Sequence, residues 1–191
     1  MSNLKHKKMD DLLKAVKESI PLVIEEWNNV KLKQFESLYE QSFEEYFSNR
    51  ETQEKTKVVS PVIDVIFARI MSQKIENFVI DEGKGRDYNW KGIPLENKLT
   101  LSISNSWTGN GYKKTDYHLL SKFELNEKGL IISYFSCLVN LEDCLSSWSL
   151  PDKKSNFSTL KFLNVDFDKI ILIHGDKKRS KKFIHFTMVK M

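Results

Sequence analysis

Apolar residues in the first third of the chain recur at spacings of three and four. Leu12, Leu13, Val16, Ile20, Val23, Ile24 and Trp27 fall on one side of a helix, because side chains so spaced stack along one face. Pro21 interrupts the run and predicts a kink or a division. A second stripe, Leu32, Phe35, Leu38, Tyr39, Ser42, Phe43, Tyr46 and Phe47, predicts another helix. The polar stretch Ser48–Lys55 reads as a surface connection. A third helix is expected to begin at Ser60-Pro61, an N-cap followed by proline at the first helical position, and to bury Val62, Ile63, Ile66 and Ile70. Such stripes build cores or oligomer surfaces and carry no chemistry of their own.

From about residue 76 the period shortens to two, the mark of strands. Ile75–Ile80 leads into a glycine-rich segment and a hairpin. Leu119–Leu125 and Leu130–Val139 form a second expected hairpin around Asn126-Glu127-Lys128-Gly129. After a loop centred on Ser146–Asn156, strands at Lys169–His174 and Phe183–Val189 are expected to close the sheet. Helices first and strands later describe an α+β (mixed α/β) unit. We read residues 1–191 as one domain, with 1–75 mainly helical and 76–191 sheet-rich.

The first hairpin carries the chemistry. A two-residue turn at Lys91-Gly92 pairs residues whose numbers sum to 183, so Trp90 faces Ile93, Tyr88 faces Leu95 and Asp87 faces Glu96. Directly opposed residues have Cβ atoms about 4.5–5.5 Å apart, and like charges so placed repel. A divalent cation would relieve that repulsion. Along the second strand, Ile93, Leu95, Asn97, Leu99, Leu101 and Ile103 alternate with Glu96, Lys98, Thr100, Ser102 and Ser104. The first set is expected against a core and the second along a wet cleft. Asn97 breaks the apolar set, and Pro94 lacks a donor, so pairing should be partial where the strand begins.

Glu-x-Lys alone carries no weight: 15 Glu and 26 Lys in 191 residues give about two such triplets by chance. Two occur, Glu82-Gly83-Lys84 in a Gly-rich connection and Glu96-Asn97-Lys98 on the amphipathic strand. Setting distinguishes the second: a glycine-bounded Asp upstream, a turn, then the strand.

The pattern Gly85-Arg86-Asp87-(x)8-Glu96-Asn97-Lys98 resembles the PD-(D/E)xK nuclease superfamily, and type II restriction endonucleases in particular. Arg86 stands where the proline of the family's name would be, and the resembling segment covers about residues 80–124. The resemblance implies a restriction-endonuclease-like core, a central mixed β-sheet flanked by helices. It implies catalytic Asp87, Glu96 and Lys98, with Mg2+ held by Asp87, Glu96 and a backbone carbonyl near Asn97. A further acid would come from Asp81, Glu82 or Asp64. The implied reaction is hydrolysis of double-stranded DNA to 5′-phosphate and 3′-hydroxyl ends, by a homodimer when the site is a palindrome. A structure-specific repair or junction nuclease with the same core stays open, as does a non-catalytic DNA-binding protein. An ion pair of Glu96 with Lys98 or Lys91 is the bland reading of the charges.

Downstream lies a polar segment containing Asn105, Ser106, Trp107, Thr108, Asn110, Tyr112, Lys113, Lys114, Thr115, Asp116 and His118. Asn, Lys, Ser and Thr are groups that read base edges in the major groove, and in the resembling nucleases this region commonly contacts DNA. An ordinary surface loop pinned by Trp107 and Tyr112 is the other reading, and His118, ahead of an apolar run, also reads as structural.

Composition agrees without deciding. The formal charge of +4 and the basic run Asp176–Lys182 fit phosphate contact or a solvated loop. Cys137 and Cys144 are too few for a disulfide scaffold and match no usual zinc spacing. Lacking a bilayer-length apolar run or a secretory leader pattern, the chain is expected to be cytoplasmic with no membrane partner.

Overall fold

The computed structural model describes residues 2–80, 87–101, 106–110, 117–140, 148–149, 157–161 and 170–174. Helix α1 (Ser2–Glu26) passes into a π-helical turn, Trp27–Lys31, and then into α2 (Leu32–Tyr39). Pro21 therefore sits inside α1 without dividing it. The second expected helix breaks in two. Glu40 turns left-handed (φ 51°), and a reciprocal Ser42–Glu45 capping box starts α3 (Phe43–Phe47). Helix α4 (Thr52–Lys74) begins eight residues before the expected Ser60 cap and carries Pro61 internally. Half of the stretch expected to be a surface connection is thus helical. Pro21 and Pro61 are exposed, and so are Lys17 and Lys57, whose carbonyls lose their helical partners. Water can satisfy those acceptors, which makes both prolines tolerable. Val62 is exposed, contrary to expectation, while Ile63, Ile66 and Ile70 are buried as expected.

The strands are β1 (Phe78–Ile80), β2 (Tyr88–Trp90), β3 (Ile93–Thr100), β4 (Ser106–Asn110), β5 (Tyr117–Leu125), β6 (Ile131–Asn140), β7 (Trp148–Ser149), β8 (Phe157–Lys161) and β9 (Ile170–His174). Six form a mixed sheet in the order β1-β2-β3-β5-β6-β9, in which β3 and β5 are parallel and the other neighbours antiparallel. The fold is α+β with a mixed sheet. A three-stranded sheet, β4-β8-β7, adds to it, where the sequence had predicted a polar segment and a loop. Ser-Trp-Thr-Gly-Asn has little apolar alternation, so β4 left no readable strand signal. The expected strand at 183–189 lies outside the described residues. Among the described residues no helix is long and apolar enough to cross a membrane.

Helices α1 and α4 pack on one another, α4 against β1 and β3, and α1 against β9. Trp27, Phe67, Tyr88, Trp90 and Phe123 are among the large side chains fully buried in that layer. The π-helical turn ties the layers together. Trp27 Nε1–H donates to Gly129 O at 2.8 Å, and the Asn28 amide pairs with both backbone groups of Ile131, at 2.8 and 3.2 Å. It holds the β5–β6 hairpin in the way another strand would.

Both hairpins form where the sequence placed them. Lys91 and Gly92 both have positive φ (49° and 80°), the requirement of a type I′ turn, and Tyr88 pairs with Leu95 and Trp90 with Ile93. Pairing of β3 with β5 starts at Leu95, just past Pro94. In the other hairpin Gly129 has φ 80°, and a Cβ there would lie 2.5 Å from Cγ of Phe43. Gly129→Ala is therefore expected to lower stability by about 2–4 kcal/mol, combining left-handed strain with overpacking. Gly92→Ala, whose Cβ would meet open space, should cost only about 1–2 kcal/mol of backbone strain. Urea denaturation of the two variants checks this, and equal losses would remove Phe43 as the cause.

Candidate active site

Strand alternation divides β3 as its sequence predicted. Leu95, Asn97 and Leu99 turn toward the helices, while Glu96, Lys98 and Thr100 turn to the other face. Asp87 stands immediately before β2, where the register brings it opposite Glu96. Its side chain caps the ladder: Oδ2 accepts the Asn97 N–H at 2.7 Å. Lys98 Nζ lies 3.9 Å from that same oxygen and donates a hydrogen bond to Glu96 Oε1. The structure thus gathers Asp87, Glu96 and Lys98 at one place, with the ammonium between two carboxylates.

The site is drier than the alternation implied. Glu96 is only 3% exposed, on a strand that lies inside the sheet and is also contacted by β4 of the second sheet. That register sets Glu96 beside His118, Lys98 beside Leu120 and Thr100 beside Lys122. Asp87 and Lys98 keep partial access to solvent. An enclosed carboxylate carries a desolvation cost of several kcal/mol unless a hydrogen-bonded cation offsets it, which is the part Lys98 plays for Glu96. Burial also raises the Asp87 carboxyl above the usual carboxylate range. Lys98 and the Asn97 amide oppose that rise, and Glu96 and Asp64 reinforce it. On β5, burial pulls the Lys122 ammonium down to about 8, with Glu124 opposing.

A second cluster lies on the helix side of the same hairpin. Asp64 Oδ1, on α4, accepts from Asn97 Nδ2 at 2.7 Å and from the Tyr88 hydroxyl. Burial, and then the Asp64 charge, push the Tyr88 hydroxyl well above the ordinary phenol value, so it stays a donor. Asn97 Oδ1 is buried without a hydrogen-bond partner among the described residues. Asp64, Tyr88 and Asp87 border a cavity of about 570 Å³ whose wall includes Val65, Ser72 and Ile80. Asp64 is one of the three residues named from sequence as a further acid; Asp81 and Glu82 lie outside the described residues.

The expected DNA contacts fare differently. Asn105, Lys113, Lys114, Thr115 and Asp116 lie outside the described residues, as does the basic run 176–182. Ser106, Thr108 and Asn110 sit on β4, and their side chains are not described. Trp107 is buried and donates to Ser121 O at 2.9 Å, an anchoring role that the sequence allowed. His118 is described in full. It is 1% exposed within β5, beside Glu96. Sequence reasoning missed the roles of Tyr88 and Lys122. A lysine inside the apolar run 119–125 was the available signal for the second.

The donors available for an ion beside Lys98 are the carboxylate oxygens of Asp87 and Glu96. Mg2+ prefers such donors and keeps several waters of its own, so the set fits it. Among the described residues no group of three or more His, Cys, Asp or Glu converges into a cage for a metal ion. In comparison with known proteins, no family model matches the chain and no curated protein matches its sequence.

Two pH-dependent outcomes follow from these environments. Native Asp87 holds its proton to higher pH than the unfolded chain does, so it lowers stability as pH rises through the carboxylate range. Asp87→Asn should therefore melt above wild type near neutral pH without divalent ions, and the gap should close as pH falls below the usual carboxylate value. Native Lys122 sheds its proton near 8, whereas the unfolded chain keeps it until 10.5, so wild-type stability rises across that window. Lys122→Met should be more stable than wild type below about pH 8, by on the order of 2–3 kcal/mol, with the difference shrinking above it. Thermal melts across pH measure both, and a pH-independent gap would contradict the assignment.

Proposed function

We propose that this chain is a Mg2+-dependent endodeoxyribonuclease of the type II restriction class, cutting double-stranded DNA at a specific sequence. The carrying observation is the convergence of Asp87, Glu96 and Lys98, with the Lys98 ammonium within 3.9 Å of Asp87 and hydrogen-bonded to Glu96. A mixed sheet that carries this trio on a hairpin, with helices packed on one face, supports a restriction-endonuclease-like core. Asp87, Glu96 and the Asn97 carbonyl would hold the ion. When bound, Mg2+ supplies charge neutralisation at the phosphate oxygens and lowers the pKa of water.

The residues themselves account for the charge. Two carboxylates and one ammonium leave a formal charge of about −1, the counterpart of which is an added cation that also accommodates a phosphodiester. With Asp87 and Glu96 holding the ion, Lys98 would orient the attacking water and stabilise the extra negative charge on phosphorus. Water attacks phosphorus in line with the bond to the leaving 3′-oxygen. That bond breaks, the attacking water gives up a proton to solvent, the departing 3′-oxygen takes one from solvent, and the products carry a 5′-phosphate and a 3′-hydroxyl. Cutting both strands of a palindromic site requires a two-fold homodimer. A cytoplasmic location belongs to the same reading.

One observation favours a second reading. Glu96 is so enclosed that Lys98 could be its permanent counter-ion, which would make the chain a non-catalytic DNA-binding protein. Incubating the purified protein with phage DNA and Mg2+ separates the two. The nuclease yields discrete fragments with mappable ends. Glu96→Ala and Lys98→Ala should each reduce cleavage by about 10²–10⁴-fold while retaining DNA binding. Wild-type cutting by both variants, or no cutting with any divalent metal, would remove the nuclease assignment. Cutting confined to branched DNA would convert it to a junction nuclease.

A further inference from the structure

An asparagine in the middle of a helix-facing strand surface is costly unless its amide is satisfied, and here it is satisfied only in half. Asn97 is 8% exposed, its Nδ2 donates to Asp64 at 2.7 Å, and its Oδ1 has no partner among the described residues. A leucine, as at 95 and 99, would remove that penalty altogether. A buried polar group retained at a cost in stability calls for a role, and the adjoining bonds supply one. The backbone of this same residue donates to Asp87 Oδ2 at 2.7 Å. Asp64 also takes the hydroxyl of Tyr88, the residue next to Asp87. One carboxylate on α4 therefore grips the hairpin from behind on both strands, at the residues flanking the acidic site.

We propose that Asp64 is a positioning residue. Through Asn97 and Tyr88 it fixes the backbone amide that aims the Asp87 carboxylate at Lys98 and Glu96. The inference rests on the nuclease reading for its consequence, though not for its geometry. Asp64 acts from the helix side of the sheet, with Oδ1 engaged by two donors, while Glu96 and Lys98 occupy the opposite side. Its task is to keep an N–H and a carboxylate in register, so an uncharged acceptor of the same shape should serve.

The test compares Asp64→Ala with Asp64→Asn, which retains an acceptor oxygen but not the charge. Amide hydrogen exchange at residue 97, measured without metal or DNA, reads the positioning directly. Asp64→Ala should speed exchange there about tenfold beyond any change at β5 and β6 amides, and Asp64→Asn should restore it to within about threefold of wild type. In cleavage assays Asp64→Ala should raise the Mg2+ concentration for half-maximal rate by about 10–100-fold, with Asp64→Asn again close to wild type. Asn97→Ala severs the same link from the other side, so it stands in if Asp64→Ala does not fold and should speed exchange at residue 97 equally.

Unchanged exchange at residue 97 in the alanine variants overturns the proposal. Inactivity of Asp64→Asn with residue 97 still protected also overturns it, because the carboxylate charge itself would then be needed at the reacting atoms. Wild-type protein that never cleaves DNA would dismiss the nuclease reading, while the exchange result would still decide what Asp64 holds.

Discussion

A buried glutamate beside an aspartate cannot hold its charge without a cation, and the arrangement of the hairpin follows from that. Lys98 is two residues along the strand from Glu96, so it shares its face and can reach both acids. A lysine ammonium neutralises one charge and leaves the other, and Asp87 keeps partial exposure to solvent. The raised Asp87 carboxyl records the same imbalance, with burial and neighbouring acids outweighing the help of Lys98 and the Asn97 amide.

The rest of the fold holds this conflict in place. β3 lies inside the sheet, paired to β2 on one side and to parallel β5 on the other, and β4 of the second sheet also contacts it. From the other face α4 reaches the hairpin through Asp64, Asn97 and Tyr88. The π-helical turn secures the β5–β6 hairpin through Trp27 and Asn28, which steadies the strand that flanks Glu96. Interactions on both sides of the sheet thus fix the position of three side chains. Such support from behind is what a site needs if charged groups are to keep a geometry that their own repulsion opposes.

Much of the candidate site was legible because its determinants are local. The Lys91-Gly92 turn needs positive φ at both positions and imposes a register, which sets Tyr88 against Leu95 and Asp87 against Glu96. Alternation then separates Glu96 and Lys98 from Asn97. The helix boundaries were less legible. Pro61 looked like a start and Pro21 like a break, yet both sit in helix interiors with the lost hydrogen bonds turned to solvent. Local preference was overridden there because burial of the opposite face, through Val59 and Ile63 or Ile20 and Val23, outweighs one missing bond.

The amino-acid order alone determined the two hairpins, the register of the first, the helical first third and the grouping of two acids with a lysine, since each depends on residues within a few positions of one another. Only the tertiary structure decided that Glu96 is enclosed, that His118 is its neighbour and that Asp64 grips Asn97 across 33 positions of chain. It also decided that β4 pairs with β8 in a sheet of its own. Those features arise from packing between distant segments, whose partners no local periodicity encodes.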